Sequence, residues 1–371
     1  MKVLIDLTSL ADNFSGIERF ALEITKVLIA DQTRDDIEYI LVFKNEVHKE
    51  FAIRSNNVRC IVVNGKNKLI FNQIKLPLRL ASIKADYYFF PAFPAPYFFF
   101  NRNAISTIHD VGCWDCPTKN KKYMTLYFRI MYRKVALGHK KVVTVSQFSK
   151  ERIIKILKKN PEEIVVIYDG LSDCFANFNY EKELDVKAKK TYGLPENYIL
   201  CLSTLEPRKN MRLLVDAFSD LINEKKIDTN LVLAGRKGWL IDDLLSNLDE
   251  NVRQRIYFTG FVDDELLPYV YRNAQIFVFP SVYEGFGVPP IEAMSMGIPV
   301  ISSDAASLPE ILGHSAFYFE NRNLTELKKQ IVYIMNLPDR QLETVRKAGV
   351  EQANRFNWTT EAIKLRDTTF I

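Results

Sequence analysis

Ser281-Val282-Tyr283-Glu284-Gly285-Phe286-Gly287-Val288-Pro289-Pro290-Ile291-Glu292-Ala293-Met294-Ser295-Met296-Gly297-Ile298-Pro299-Val300 is the most informative stretch of this chain. It follows an apolar run at 275–279 that reads as a strand. Gly285 and Gly287 permit a tight loop whose backbone amides approach a ligand closely. Pro289 and Pro290 suit the first turn of a helix, where a missing N–H costs little. The pattern therefore predicts strand, glycine loop and helix, with free amides at the helix start facing an anion such as a diphosphate. Glu284 in the loop and Glu292 in the helix offer two carboxylates for two sets of hydroxyls, as on a sugar and a ribose. A strand–loop–helix with solvated glutamates is the plainer alternative, and the full context of glycines and prolines weighs against it.

Moving outward, Ser203-Thr204-Leu205-Glu206-Pro207-Arg208-Lys209-Asn210 follows a strand pattern at 198–202 and opens a helical one at 211–224. Asn210 reads as its N-cap. Arg208 and Lys209, at the carboxyl end of a strand beside a helix start, form a natural diphosphate clamp. An Arg-Lys pair alone on a loop is more often a solvated surface, which stays the plainer alternative here. Gly235-Arg236-Lys237-Gly238 and Gly260-Phe261-Val262-Asp263 also end strands, with Asp263 a second candidate cap.

The whole chain alternates in this way. Strand-like runs fall at 2–7, 39–43, 60–63, 86–90, 104–108, 141–145 and 164–168, then at 198–202, 230–234, 255–259, 275–279 and 299–302. Helical patterns read at 211–224, 264–272, 290–296 and 324–337, and Phe20, Ile24, Val27 and Leu28 make an earlier apolar stripe. Such alternation argues for α/β architecture with parallel sheets wrapped by helices. The 371 residues are too many for one ordinary core. We read two Rossmann-like domains across a cleft, 1–180 and 190–356, separated by a polar, weakly patterned stretch at 177–191. Residues 357–371, with Trp358, follow the second domain and are expected, as in related proteins, to form a helix crossing back to the first.

Composition is that of a globular protein, 47% hydrophobic and 26% charged. Five cysteines are too few for a disulfide framework, so a reducing compartment is expected. The N-terminus, with Asp6 inside its apolar run, does not read as a secretory signal. No segment approaches the roughly 20 apolar residues that span a bilayer. The net charge of +5 is unevenly spread: residues 1–170 hold 27 Lys and Arg against 17 Asp and Glu, and the remainder hold 23 against 28. Within 119–159 there are thirteen basic residues and one acid, Glu151. A proline-broken aromatic run, Tyr87 to Phe100, precedes that basic segment. Aromatics with cations suit an anionic membrane interface or a lipid-diphosphate-linked acceptor, and packing of the loop on neighbouring helices is the alternative. Single-stranded nucleic acid is disfavoured for lack of any accompanying motif.

In the first half, Ser106-Thr107-Ile108-His109-Asp110-Val111 ends a strand, with one of only four histidines beside an acid. Ser15-Gly16-Ile17-Glu18-Arg19 follows the first strand, and Ser146-Gln147-Phe148-Ser149 reads as a helix cap. There is no D-x-D, the usual metal–diphosphate signature. Cys113 and Cys116 form a lone C-x-x-C without the second pair a zinc site needs. No P-loop is present.

The Glu284-x7-Glu292 spacing, with E-G-F-G, P-P and the following A-M-x-x-G-x-P-V-I, resembles the retaining glycosyltransferases of family 4, which have the GT-B architecture. E-P-R-K-N, T-x-H-D, G-I-x-R, G-x-V and V-S-x-F-S segments match the same family. The resemblance implies that Glu284 holds a donor-sugar hydroxyl and Glu292 the ribose hydroxyls. It implies that Gly285, Phe286, Gly287 and Val288 contact sugar and phosphate, and that Arg208 and Lys209 neutralise the leaving diphosphate. It further implies that His109 faces the donor sugar, that Gly16 approaches the donor phosphate or acceptor, and that the backbone at Val262 reads the base. The expected activity is transfer of a hexose, mannose favoured, from a nucleotide sugar (GDP-mannose favoured) to an oligosaccharide or lipid-linked glycan of a growing polysaccharide. Rhamnosyl and UDP-sugar donors are alternatives; an epimerase, a phosphorylase or a non-catalytic glycan-binding module fits these residues less well. No cofactor or metal is expected, and the expected location is cytoplasmic, peripheral on the inner face of the membrane.

Overall fold

The computed structural model describes residues 1–10, 16–31, 33–34, 36–52, 57–117, 122–204, 206–235, 244–246 and 248–371. The chain forms two compact units, Met1–Gly170 with Asn357–Ile371, and Leu171–Phe356. Each is built on one sheet whose pairings among described residues are all parallel.

The first sheet contains β1 (Lys2–Asp6), β2 (Glu38–Lys44), β3 (Val58–Val63), β4 (Tyr87–Phe90), β5 (Ala104–Thr107), β6 (Lys141–Thr144) and β7 (Ile164–Val166). Their order is β3-β2-β1-β4-β5-β6-β7. Central strands of a helix-covered parallel sheet are buried on both faces, which is why β1 and β2 read as continuous apolar runs. The helix Gly16–Ala30 buries Phe20, Ile24 and Leu28, the stripe visible in the sequence. Ser146 accepts a hydrogen bond from the Ser149 amide at 3.0 Å and caps the helix Gln147–Leu157, as its motif predicts. The C-terminal helix, Trp358–Thr369, belongs to this unit. Trp358 meets Phe20 edge-on, Phe370 meets Phe89, and Arg366 is ion-paired with Asp31.

The second sheet contains β8 (Tyr198–Leu202), β9 (Asn230–Ala234), β10 (Ile256–Gly260), β11 (Ile276–Phe279), β12 (Val300–Ser303) and β13 (Phe317–Phe319), in the order β10-β9-β8-β11-β12-β13. The helix Met211–Asn223 covers one face with Leu214, Val215, Phe218 and Leu221.

The structure differs from the sequence reading in several places. The polar stretch at 177–191 contains the helix Lys182–Tyr192. It carries charge around most of its surface and buries only Asp185 and Ala188, so its apolar periodicity is faint. The units divide at Gly170/Leu171, ahead of the boundary expected near 180, because Phe175 and Phe178 pack on Tyr271 and Tyr269 of the second unit. The three-residue β13 and the helix Asp339–Ala353 leave no clear pattern in the sequence; the first is too short to show alternation, and the second is largely solvent-facing. Asn210 lies where an N-cap would, but with φ of 53° its side chain makes no cap bond. Its left-handed backbone turns the chain from the short 3₁₀ helix Pro207–Lys209 into the next helix.

Candidate functional site

In the second sheet the order reverses between β8 and its neighbour β11. Loops leaving those two strands diverge, opening a crevice at their carboxyl ends where α/β sheets bind ligands. The loop after β8 carries Arg208 and Lys209, and the loop after β11 carries Glu284.

These three side chains meet. Lys209 Nζ is 2.6 Å from Glu284 Oε1, and Arg208 Nη1 is 3.8 Å from Glu284 Oε2. Ser281 donates to Glu284 Oε1 at 2.5 Å. Burial by itself raises the Glu284 carboxyl, but Lys209 and then Arg208 outweigh it and hold the group below its ordinary range. Two cations share one carboxylate, so the cluster keeps one positive charge. Lys209 also lies 5.5 Å from the centre of the Phe279 ring.

The glycine loop is held from outside. Ser307 donates to the carbonyls of Glu284 and Phe286, at 3.0 Å each. Gly287 has φ of 101°, which favours glycine, and leads into the helix Val288–Ser295. Pro289 and Pro290 are therefore the second and third helical residues. This corrects the expectation of several free amides at the helix start: two of the first three positions have no N–H, leaving Val288 as the donor there and the dipole as the remaining attraction. Gly285 is buried, and the Phe286 ring is buried too, packed edge-on against Phe356. Glu292 lies further along the helix, where Tyr271 Oη donates to its Oε2 at 2.8 Å. Burial, then the Glu292 charge, push the Tyr271 phenol well up, so it stays a donor.

Gly235 closes the same edge. A Cβ there would lie 2.1 Å from the Ser203 carbonyl oxygen, so only glycine allows the ends of β8 and β9 to approach. Arg236, Lys237 and Gly238 lie outside the described residues, as does Ser15. Val262 is buried just beyond β10. The Asp263 carboxylate accepts from Tyr192 Oη at 3.3 Å and does not cap a helix.

The first unit presents a contrasting arrangement at the carboxyl ends of β4 and β5. His109 is buried, edge-on to Phe20 at 5.1 Å, with Nε2 3.0 Å from the Pro91 carbonyl. A carbonyl only accepts, so Nε2 carries the proton. Burial pushes the imidazole down to about 4 against the opposing pull of Pro91 and Asp110, leaving it neutral near pH 7. Asp110 accepts from the Gly112 amide at 2.7 Å and shapes the local turn. Gly16 is an exposed first residue of its helix, and a Cβ there would meet nothing. Cys113 and Cys116 are both free thiols.

Comparison with known proteins is consistent with this geometry. The family described as "Glycosyl transferases group 1" matches residues 183–351. The O-antigen chain mannosyltransferase B of Escherichia coli is 30% identical, with 98% of each chain aligned. The chain is a group 1 glycosyltransferase. Its two parallel-sheet units have the GT-B fold. HepE of Anabaena, solved with UDP-glucose, superposes with a TM-score of 0.74 at 18% identity over 99% of both chains. Sucrose-phosphate synthase of Thermosynechococcus elongatus gives 0.75 at 18%, over 99% of this chain and 97% of its own.

Within this glycosyltransferase, sequence reasoning named Arg208, Lys209 and Glu284, and the fold brings them into one cluster. It placed Glu292 on the adjoining helix, where Tyr271 Oη donates to it. Four contributors went unnamed as functional groups: Ser281, Ser307, Tyr271 and Phe279. Ser281 stood inside the quoted motif, three residues before Glu284, and was the one with a usable signal.

Proposed function

We propose that this glycosyltransferase is a retaining, metal-independent mannosyltransferase. It takes mannose from GDP-mannose and adds it to a growing lipid-linked or cell-surface polysaccharide, working as a peripheral protein on the inner face of the cytoplasmic membrane. The observation that carries the reading is the Arg208–Lys209–Glu284 cluster at the β8/β11 crevice. It is supported by alignment along nearly the whole chain with an O-antigen mannosyltransferase.

The chemistry follows from the charges. The bond between the sugar's anomeric carbon and the β-phosphate oxygen breaks, and the leaving diphosphate gains one negative charge. Arg208 and Lys209 lie where that charge grows and stabilise it without a metal. The Val288 amide and the helix dipole add to them. Glu284, kept ionised, accepts a hydrogen bond from a sugar hydroxyl, and Glu292 accepts from the ribose. An acceptor hydroxyl attacks the anomeric carbon from the face the phosphate leaves, and its proton passes to the departing phosphate oxygen. Neutral His109 suits a role beside the sugar, since it brings hydrogen-bonding groups without adding charge.

A panel of GDP-, UDP- and dTDP-sugars, read by thermal shift and by product formation in EDTA, tests the reading. GDP-mannose is expected to give the largest shift and the fastest transfer, undiminished by EDTA. A UDP- or dTDP-sugar that outperforms it would reassign the donor. No stabilisation by any nucleotide would remove the transferase assignment of this site.

A further inference from the structure

A groove of about 610 Å³ lies on the first unit, between the loop after β4 and the helix Lys122–Gly138. Phe100, Ile130 and Leu137 give it apolar walls, Arg102, Arg133 and Lys134 supply cations, and no carboxylate lines it. The Lys140 amide donates to the Arg102 carbonyl at 3.1 Å, just ahead of β5 and β6. The groove thus sits at the amino edge of the sheet, the opposite edge from His109.

Its wall is well tied. Lys134 Nζ donates to the carbonyls of Pro96 and Phe99, at 2.7 Å each, and lies 5.2 Å from the centre of the Phe100 ring. Burial pushes the Lys134 amine down to about 8. His139, on the groove floor, is pushed down to about 3 by burial and then by Lys134 and Lys159. Lys134 is shifted by burial alone, and His139 stays neutral near pH 7.

The surface around the groove is apolar and open. Leu137 is 87% exposed, Phe100 76% and Tyr123 74%. Gln73 joins the neighbouring segment to this face: it accepts from the Tyr97 amide at 3.1 Å and donates to Tyr127 Oη at 3.2 Å. Leu78, on the helix Leu76–Ala81, is 68% exposed. Across residues 57–150 the acids are Asp86, Asp110 and Asp115 alone, among sixteen Lys and Arg. Large apolar side chains left exposed around a groove mark a docking site. Exposed aromatics and leucines ringed by cations match the headgroup region of an anionic bilayer in both polarity and charge.

We propose that this face docks on an anionic phospholipid bilayer and that the groove holds one phospholipid, its phosphate at Arg102 and Arg133 and its first methylenes over Phe100, Ile130 and Leu137. This rests on the peripheral-membrane reading above and gives it a defined site. The groove lies at the edge of its own sheet opposite His109, and its role is to anchor the enzyme.

Co-sedimentation with vesicles of phosphatidylglycerol and phosphatidylethanolamine, against vesicles of phosphatidylcholine, tests it. The full chain is expected to bind the anionic vesicles, more weakly at high salt. Arg102→Gln with Arg133→Gln should lower the affinity roughly thirty-fold, at about 1 kcal/mol for each cation near the surface. Leu137→Asp should lower it at every salt concentration. Lys150→Gln with Lys155→Gln, outside the groove, should change it far less, and thermal unfolding should be unaltered in all three. If the native chain ignores anionic vesicles, both the peripheral reading and the groove fall. If it binds and the groove variants bind equally well, the groove alone falls. A dimer in sedimentation equilibrium that Leu137→Asp abolishes, with vesicle binding untouched, assigns the face to a second copy and overturns the proposal.

Discussion

The carboxyl edges of the two sheets solve opposite problems with similar architecture. At β8/β11 a charged carboxylate is buried and kept charged, because Lys209, Arg208 and Ser281 all face it. At β4/β5 an imidazole is buried and kept neutral, because burial outweighs the opposing pull of the Pro91 carbonyl and Asp110. The first arrangement stores a field that acts on a phosphate. The second offers hydrogen bonds and no charge. Burial alone therefore does not set the function of a titratable group; the charge of what faces it does.

The comparison breaks most decisively at Lys209. Lys209→Ala leaves the Glu284 carboxylate buried with its nearer cation gone, which costs roughly 3–5 kcal/mol. Transfer should also fall about 10²–10³-fold through lost stabilisation of the leaving diphosphate. The sign with pH follows from the depressed Glu284 group: the stabilisation is present above the unfolded carboxyl value of 4.5 and is lost as pH falls through the lower folded value. Thermal unfolding and steady-state transfer check both effects. A variant melting like the parent would show that the pair is not energetically coupled.

His109→Gln sharpens the other side. The unfolded imidazole takes up a proton below about 6.5, whereas the folded one resists until about 4. Its contribution is thus fully present above 6.5 and declines as pH falls toward 4. Between pH 7.5 and 5 the parent should lose about 2 kcal/mol more stability than the variant. Urea unfolding at the two pH values measures this, and parallel slopes would contradict a buried neutral His109.

Tyr271→Phe removes one donor from buried Glu292, worth about 1–3 kcal/mol. If Glu292 grips the ribose, KM for the nucleotide sugar should rise up to about tenfold with kcat nearly constant; a fall in kcat alone would place Glu292 elsewhere in the reaction. Ser149→Ala is the smallest change. Ser149 donates to the His109 carbonyl at 3.1 Å, and its loss should cost about 1 kcal/mol in thermal unfolding without altering the pH slope.

Much of this was legible in the sequence, for local reasons. Strand–helix alternation announced parallel sheets, since each strand buried on both faces must be a continuous apolar run. Gly285, Gly287, Pro289 and Pro290 announced a loop opening a helix, since those residues restrict or free the backbone within their own few positions. Arg208, Lys209, Glu284 and Glu292 were named from motif spacing.

What the tertiary structure decided is which groups face one another. Lys209 and Glu284 are 75 residues apart and meet because β8 and β11 are neighbours at the reversal of strand order. Tyr271 reaches Glu292, and Ser307 reaches the glycine loop, across 21 to 23 residues that leave no periodic trace. The helix Lys182–Tyr192 escaped notice because it buries little, and the groove beside Lys134 because its walls come from separate segments. Propensity and patterning act along the chain, whereas charge compensation and hydrogen bonding act through space, and it is the second that turns the motif residues of this glycosyltransferase into a site.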